Sequence, residues 1–349
     1  MWPVCGVTLP GVAEGVGADV LIVGAGMTGL TAALALAESG ANVRVVDKGR
    51  SVGGRLATRR IGQAVLDHGA QFFTVRSKAF AEAVSLWEAD GVVSVWTNGF
   101  DPDNQDGHPR FRAEGGMSLL AKHLSAACQR VGVDVVLNQR ADALIDNGAD
   151  LTVTYEGGSR LPDEARAVVL TLPVPQTIDI LRAGGAPIPD DALLITYDSV
   201  IAVLMTTEDD VSEVVGPLGA VQQPLDPMFT FIADNRAKGI SPTTGLTFHV
   251  EPALSAALWS LDNDEILSRL QPEFDRVLGT VKPASVQVKK WRYAAPRSSH
   301  DDLFLPVDRT SRPVMLAGDA FGDAKVEGAF LSGRAVAEHI LRLNRGTDL

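Results

Sequence analysis

Cysteine is scarce in this sequence, since Cys5 and Cys128 are the only two among 349 residues. Two cysteines are too few for a disulfide framework, for a zinc or iron–sulfur site built on thiolates, or for a C-x-x-C redox pair. Such scarcity is typical of proteins in a reducing compartment. We therefore expect a cytoplasmic protein.

Positive charge is also in short supply, because 31 lysine and arginine residues face 43 aspartate and glutamate residues, for a net charge of −12. A chain of this charge repels nucleic acid and anionic lipid, so we expect neither nucleic acid nor membrane as a partner. The six histidines lack the spacings H-x-x-x-H and H-E-x-x-H, so we expect no metal site. The G-x-S-x-G and P-loop motifs, which mark hydrolases and nucleoside triphosphatases, do not occur.

One long uncharged run, from Val20 to Ala37, has the length of a membrane span. Its glycines divide it into a short β-branched segment and an Ala/Leu segment, which is the pattern of a buried strand followed by a buried helix. The residues before it, 1–17, contain no lysine or arginine, which disfavours a signal peptide. We interpret residues 1–17 as an N-terminal extension.

The motif Gly24-x-Gly26-x-x-Gly29 lies between a predicted strand at 19–23 and a predicted helix at 28–39. In such a unit the first glycine allows a tight turn and the second lets the backbone approach a pyrophosphate. The third lets the helix pack closely on the strand. The motif therefore indicates a Rossmann-type dinucleotide site.

The residues that follow this motif agree with a dinucleotide site. Met27 and Thr28 open the predicted helix, whose N-terminal N–H groups and positive dipole end favour phosphate. A second predicted strand, 42–46, leads to Asp47, which is placed to accept hydrogen bonds from ribose hydroxyls.

Three further features favour FAD over NAD as the dinucleotide. Gly53-Gly54-Arg55 brings glycine backbone and a guanidinium close behind the second strand. Gly318-Asp319 follows a predicted strand at 314–317, where open α/β sheets bind ligands. The stretch from Gly328 to Gly333 opens the last predicted helix, 328–343, whose N-terminus would stabilise negative charge on a reduced flavin.

The predicted elements indicate an α/β protein of two domains. We expect a discontinuous FAD-binding domain of Rossmann type at 18–75, 112–180 and 285–349. A substrate domain with a mixed sheet is expected at 76–111 and 181–284, with strands at 199–205, 228–233 and 246–250. The polar, glycine-bearing stretch 48–69 is predicted to be a loop.

Several motifs, taken together and in this order, resemble the renalase-type flavoproteins, a branch of the flavin amine oxidase superfamily. They are DKGRSVGGRLATRR at 47–60, DHGAQFF at 67–73, WRYA at 291–294, GDAF at 318–321 and VEGAFLSG at 326–333. The resemblance implies noncovalent FAD and a p-hydroxybenzoate-hydroxylase-like fold. It also implies a hydride transfer from isomeric dihydronicotinamide dinucleotides, or their phosphates, to flavin and then to O2, giving NAD(P)+ and H2O2.

The fingerprint, the three further features and the resemblance together define the residues expected to bind FAD. They are Gly24, Gly26, Met27, Thr28, Gly29, Asp47, Lys48, Gly54, Arg55, His68, Gly69, Ala70, Gln71, Phe72, Gly318, Asp319, Glu327, Gly328 and Ala329.

We expect His249, Trp291 and Tyr293 to form the catalytic site. Renalase-like proteins carry a histidine at the end of a strand comparable to 246–250, and His249 matches it. Hydride transfer needs alignment more than an acid or base, so aromatic walls such as Trp291 and Tyr293 suffice. The alternatives are a hydrogen-bonded core histidine and aromatic side chains that only fill the core. The sequence departs from the family after His249, where Val250-Glu251-Pro252 stands in place of an alanine with a nearby tryptophan.

Three other functions remain open at this point. An amine oxidase or desaturase on the same fold is the nearest alternative. A flavin-binding protein without turnover and an NAD-dependent dehydrogenase without flavin are the other two. The single dinucleotide fingerprint leaves no second Rossmann domain for a pyridine nucleotide, so a reducing substrate must meet the flavin directly.

Overall fold

The computed structural model describes residues 18–100, 107–158, 161–222 and 228–346. The predicted N-terminal extension lies outside these residues. The helices are α1 (Met27–Glu38), α2 (Lys78–Ala89), α3 (Ser118–Arg130), α4 (Val174–Gly184), α5 (Asp190–Leu193), α6 (Ser212–Val215), α7 (Pro252–Ala257), α8 (Asn263–Leu278) and α9 (Val326–Gly346).

The strands alternate with these helices along the chain. They are β1 (Ala18–Val23), β2 (Val43–Val46), β3 (Thr58–Ile61), β4 (Ala64–Asp67), β5 (Val93–Thr97), β6 (Arg110–Ala113), β7 (Asp134–Val136), β8 (Ala141–Asp146), β9 (Leu151–Tyr155), β10 (Asp163–Leu170), β11 (Tyr197–Thr206), β12 (Ala220–Gln222), β13 (Phe229–Asp234), β14 (Gly245–Val250), β15 (Ser285–Pro296), β16 (Phe304–Pro306) and β17 (Val314–Ala317).

The chain folds into two compact units. The first contains the described residues of Met1–Gly54, Ala121–Thr196 and Pro296–Leu349, and the second contains those of Arg55–Leu120 and Tyr197–Ala295. Residues 55–75, 112–120 and 285–295, which the sequence places in the FAD-binding domain, belong to the second unit by their contacts. Their role in binding FAD stays a prediction.

The first unit is built on an eight-stranded sheet with the order β16-β17-β10-β1-β2-β7, to which β9 and β8 are added through β10. Strands β17, β10, β1, β2 and β7 run parallel, and β9 and β16 are antiparallel to their neighbours. Strands β1 and β17 are almost entirely buried, as expected for a parallel sheet covered on both faces. The predicted α/β fold with a Rossmann-type unit is confirmed.

The uncharged run from Val20 to Ala37 forms β1, a turn and α1, as predicted. Helix α1 is buried around most of its circumference, which explains why its sequence lacks a polar face. Within the described ranges, no helix has both the length and the apolar character needed to cross a bilayer.

The second unit is built on a five-stranded sheet with the order β12-β13-β14-β11-β15. Its first four strands are antiparallel to one another. Helix α8 begins with a capping box formed by Asp262 and Glu265 and buries one apolar side against this sheet's core. The sheet fixes β14, and therefore His249, between β11 and β13.

The prediction of a loop over 48–69 is wrong for its second half, which forms the antiparallel hairpin of β3 and β4. Gly62 takes a left-handed conformation, with φ of 57°, in the two-residue turn between Ile61 and Ala64. A tight turn of this kind favours glycine. Gly62, which contributed to the prediction of a loop, therefore belongs to a hairpin.

Candidate functional site

The glycine motif of the first unit forms a tight connection between β1 and α1. Gly24 has a φ of 114°, and its N–H donates to the Val46 carbonyl at 2.8 Å. A β carbon on Gly29 would lie 1.9 Å from the Gly24 carbonyl oxygen. The third glycine is therefore required by the packing of helix on strand, as the fingerprint predicts.

Gly26 serves a different purpose from its two neighbours in the motif. A β carbon on Gly26 would meet no heavy atom within 4 Å, and one on Gly54 would lie 3.7 Å from the Gly26 Cα. Gly53 holds the second segment against the first, because its N–H donates to the Ala25 carbonyl at 2.8 Å. Two backbone segments without side chains thus border an open space.

The N-termini of α1 and α9 meet beside this turn. The Thr28 hydroxyl donates to the Ala329 carbonyl at 2.9 Å, and a β carbon on Gly333 would lie 2.5 Å from the Thr28 carbonyl oxygen. Helix α1 has no acidic residue in its first turn, whereas the first turn of α9 carries Glu327. The positive end of the α1 dipole therefore has no carboxylate from its own helix beside it, which favours a phosphate-bearing ligand.

The polar residues predicted around this turn have protein partners of their own. One Asp47 carboxylate oxygen accepts from the Ala25 N–H at 2.7 Å and the other from the Gly49 N–H at 2.6 Å. Lys48 donates to the Gln176 side chain at 2.8 Å, and the Gly318 N–H donates to Ser332 at 2.9 Å. Each carboxylate oxygen accepts more than one hydrogen bond, so Asp47 retains capacity for a ribose hydroxyl.

A second cluster, here called the histidine cluster, lies in the second unit and consists of His68, Gln71, His249 and Trp291. The Trp291 indole N–H donates to the His68 carbonyl at 2.7 Å. The rings of these two residues stack, with centroids 5.2 Å apart and an interplanar angle of 24°. The sequence predicted all four residues as site residues, and the fold places them in mutual contact.

Gln71 links His249 to the rest of the histidine cluster. Its Nε2 lies 3.4 Å from His249 Nε2 and donates to the Asp67 carbonyl at 2.8 Å. The opposite end of the amide, Oε1, is buried and has no hydrogen-bond partner among the described residues, and the same holds for His68 Nδ1. Two unsatisfied buried polar atoms in one cluster are unusual and indicate a ligand site.

Both histidines of the cluster are neutral at physiological pH. Burial lowers the pKa of His68 to about 4, with a further contribution from the positive charge of Lys289. Burial likewise lowers the pKa of His249 to about 4, and a hydrogen bond with the His68 backbone opposes this shift only in part. Neither imidazole is therefore a proton donor near pH 7.

A fully buried ion pair involves Asp67, the residue directly before His68. The Lys238 ammonium lies 2.7 Å from an Asp67 carboxylate oxygen, and both side chains are fully buried. The other Asp67 oxygen accepts from the Thr58 hydroxyl at 2.6 Å and the Met117 N–H at 2.8 Å.

Four partly to fully buried aromatic residues, Phe72, Trp96, Phe100 and Phe231, pack beside the histidine cluster. Their ring centroids are 4.9 to 6.5 Å apart, in tilted or edge-to-face pairs. The Phe231 ring is 6.3 Å from the His249 ring. Together these rings form an apolar aromatic surface next to the neutral His249 side chain.

Tyr293 and Arg55 form a group of their own within the second unit. The Arg55 guanidinium donates to the Tyr293 carbonyl at 3.4 Å and lies 5.9 Å from the centre of the Tyr197 ring. The Tyr197 and Tyr293 rings meet edge to face at 5.7 Å. Tyr293 thus contacts the predicted cofactor residue Arg55, and its role in catalysis stays a prediction.

Comparison with known protein families gives the site its context. The family described as flavin-containing amine oxidoreductase matches residues 93–341, which is more than half of the chain. The NAD(P)-binding Rossmann-like domain family matches residues 22–89. The chain belongs to the flavin-containing amine oxidoreductase family.

Two curated sequences and one solved structure are similar to this chain. "Probable electron transfer flavoprotein-quinone oxidoreductase YdiS" of Escherichia coli is 28% identical over 158 residues, which cover 44% of this chain and 35% of that protein. Hydroxyneurosporene desaturase of Rubrivivax gelatinosus is 44% identical over 57 residues, 16% of this chain and 11% of that protein. The chain thus spans about a third or less of these relatives.

Wild-type putrescine oxidase bound to putrescine has a similar fold. Its TM-score is 0.68, with 18% identity, and the match covers 94% of this chain and 99% of that chain. At this identity the likeness shows the fold alone.

The flavin-containing family to which the chain belongs implies a flavin cofactor, and the residues present fit FAD. The side-chain-free space at Gly26 and Gly54 suits a pyrophosphate, and the N-terminus of α1 supplies N–H groups and positive potential. Bound FAD supplies a two-electron acceptor. Among the described residues, no group of three or more histidine, cysteine, aspartate or glutamate side chains is arranged to hold a metal ion.

Sequence reasoning missed two residues, Thr171 at the glycine turn and Lys238 beside the segment that carries His68. The Thr171 hydroxyl donates to the carbonyls of Val23 and Gly24, at 2.9 and 3.1 Å, and so fixes the first glycine. Lys238 is the partner of Asp67 but lies 171 residues away. No local pattern marks either residue, because each acts through a contact that only the fold creates.

Proposed function

We propose that this protein is an oxidase that takes a hydride from isomeric dihydronicotinamide dinucleotides or their phosphates. The observation that carries the proposal is the neutral histidine cluster with its adjoining aromatic surface. Hydride transfer from a dihydronicotinamide requires alignment of donor and acceptor, and it requires neither an acid nor a base. A cluster whose imidazoles have a pKa of about 4 suits that chemistry.

Within the proposal, the chain's residues bind and orient the nicotinamide ring. The rings of Phe72, Phe100 and Phe231 provide flat apolar contact, and Trp291 holds His68 in place. Gln71 Oε1, which has no partner among the described residues, accepts a hydrogen bond from the carboxamide N–H. Neutral His249 does not oppose the positive charge that grows on the ring as the hydride leaves.

The electron balance of the reaction is complete with oxygen as the second substrate. The dihydronicotinamide loses a hydride and becomes NAD(P)+, and O2 takes up the two electrons and two protons to give H2O2. One proton derives from the hydride and one from solvent. The proposal includes noncovalent FAD and a cytoplasmic location, which the scarcity of cysteine supports.

Oxidation of an amine, or desaturation, is the second candidate. The description of the matched family and the short match to hydroxyneurosporene desaturase favour it. Such a substrate would also transfer a hydride to flavin, but from a carbon next to nitrogen or within an alkyl chain.

Anaerobic stopped-flow absorbance distinguishes these candidates. The purified protein is mixed with dihydronicotinamide isomers, with ordinary NADH and NADPH as matched controls, and with putrescine as an amine. We expect the flavin band to bleach rapidly with the isomers and slowly with the controls. Rapid bleaching with the amine alone would replace the proposal by amine oxidation, and a colourless protein that takes up no FAD would contradict both.

His249→Ala tests the assignment of the cluster to this reaction. We expect FAD to remain bound, because His249 belongs to the second unit and not to the glycine turn, while flavin reduction slows at least about tenfold. His123→Ala, on α3, is the matched control. An unchanged reduction rate in His249→Ala would return this histidine to a purely structural role.

A further inference from the structure

The hairpin of β5 and β6 in the second unit carries a serine and an arginine side by side. Ser94 on β5 is the direct cross-strand partner of Arg112 on β6. Side chains of directly opposed residues in an antiparallel pair share one face and interact. Both residues are only partly buried, so this face reaches the surface of the unit.

Each of these two side chains contains a buried polar atom without a hydrogen-bond partner among the described residues. The atoms are Ser94 Oγ and Arg112 Nη1. Buried polar groups are almost always paired, and an unpaired donor costs free energy. Arg112 uses another nitrogen, Nη2, to contact Glu114 at 3.5 Å, and 18% of its side chain remains exposed. An oxyanion that enters where Arg112 is exposed would supply an acceptor that these two buried donors lack.

Lys238 and Gly239 pack against this same face of the hairpin. The Lys238 ammonium lies 5.2 Å from the centre of the Trp96 ring, and a β carbon on Gly239 would lie 2.4 Å from Arg112 Nη1. Trp96 and Arg112 therefore face the same two-residue segment. The charge of Lys238 is already paired with Asp67 at 2.7 Å, whereas the Arg112 guanidinium retains an unsatisfied donor.

We propose that Ser94 and Arg112 bind an oxyanion of the substrate, a phosphate or a carboxylate, next to the aromatic surface that includes Trp96. A guanidinium and a hydroxyl are the donors that bind such groups through charge-assisted hydrogen bonds. Trp96 packs against Phe231, whose ring adjoins His249. One substrate would therefore reach both the Ser94–Arg112 pair and His249. This inference rests on the proposed function, which makes the planar part of the substrate a nicotinamide ring. A dicationic amine carries no oxyanion and would not use this site.

Isothermal titration of the holoenzyme with three ligands tests the inference without turnover. Nicotinamide mononucleotide carries a phosphate, nicotinic acid riboside carries a ring carboxylate, and nicotinamide riboside carries neither. We expect one of the two anionic ligands to bind about 10- to 100-fold more tightly than nicotinamide riboside. The ligand that does so identifies the oxyanion as a phosphate or a carboxylate.

Variants of the hairpin test which residues create this preference. Ser94→Ala and Arg112→Gln should each reduce it at least about fivefold, and Arg112→Lys should retain part of it. Glu114→Gln should strengthen it, because this change removes the carboxylate that competes for the guanidinium. Arg269→Gln, an exposed arginine on α8, is the matched control and should leave all three affinities unchanged.

The outcomes for this site and for the proposed function can be told apart. Equal or undetectable binding of all three ligands overturns the oxyanion site, as does an anion preference that survives Arg112→Gln. If Arg112→Gln fails to fold, Ser94→Ala and Glu114→Gln still decide the question by opposite shifts. Absence of hydride transfer from the dihydronicotinamide isomers, with the anion preference intact, would overturn the proposed function alone.

Discussion

The ammonium of Lys238 lies 2.7 Å from the carboxylate of Asp67, and neither side chain has any exposed surface. The Asp67 carboxylate is completed by Thr58 and Met117, and its backbone carbonyl accepts from Gln71. The pair therefore fixes the short segment that leads from Asp67 to Gln71. The pair thus holds Gln71 in the histidine cluster, whose imidazoles are kept neutral mainly by burial.

Lys238→Met should lower the free energy of unfolding by about 3–5 kcal/mol, because it leaves a buried carboxylate without its counter-charge. Urea denaturation followed by far-UV circular dichroism measures this change. Lys78→Met is the matched control, since Lys78 is 92% exposed and lies 4.0 Å from Glu82. Its effect should stay below about 1 kcal/mol.

The double variant Asp67→Asn with Lys238→Met measures the interaction between the two side chains apart from their other contacts. Its loss of stability should be clearly smaller than the sum of the two single losses, since neither charge is then left unpaired. Additive losses would show that the two residues contribute independently and would contradict the role of the pair.

Much of the first unit could be predicted from the sequence. Strand β1, helix α1 and strand β2 follow from the glycine spacing and from apolar runs of the correct length, since local pattern and burial agree there. The four residues of the histidine cluster were each named as site residues through a resemblance of motifs, but their grouping was not predicted. Its geometry, with Trp291 stacked on His68, required the fold.

Other features have no local signature. Strands β3 and β4 have four residues each, and β3 contains two consecutive arginines, so the hairpin has no clear alternation of apolar and polar residues. Ser94 and Arg112 become neighbours only through strand pairing. Lys238 follows an ordinary turn, and its burial is decided by Asp67 in a distant segment. In each case tertiary contacts override what composition suggests.

Gly26→Val should abolish FAD binding and leave the apoprotein folded. A β carbon at Gly26 would meet no protein atom within 4 Å, so a valine side chain there would enter the space assigned to the pyrophosphate. Gly29→Val is the comparison, because a β carbon there would lie 1.9 Å from the Gly24 carbonyl oxygen and should unfold the first unit itself. Flavin fluorescence titration and thermal melting measure the two effects. FAD retention in Gly26→Val would contradict this assignment of the pyrophosphate site.

Trp291→Phe should slow flavin reduction by roughly tenfold while FAD stays bound. The substitution retains an aromatic ring beside His68 but removes the indole N–H that donates to the His68 carbonyl at 2.7 Å. Trp259→Phe is a control in the same unit, because the Trp259 ring contacts the Lys290 ammonium and not the histidine cluster. Stopped-flow reduction under anaerobic conditions measures both. A wild-type reduction rate in Trp291→Phe would show that the hydrogen bond does not position the cluster.

Acidification should destabilise the protein through its two buried imidazoles. His68 and His249 have a pKa of about 4 in the folded chain and an ordinary value of 6.5 when unfolded. Between these values the unfolded chain binds more protons than the folded one, so stability rises with pH. The contribution is fully present above about pH 6.5 and is lost as the pH falls towards about 4.

Urea unfolding at several values between about pH 7 and about pH 5 measures this dependence. His249→Gln should flatten the slope, because one titrating group is removed from both the folded and the unfolded chain. The comparison with the wild-type slope cancels the contribution of the carboxylates, which is common to both proteins. An undiminished slope in His249→Gln would mean that this imidazole is protonated as readily in the folded protein as in the unfolded chain.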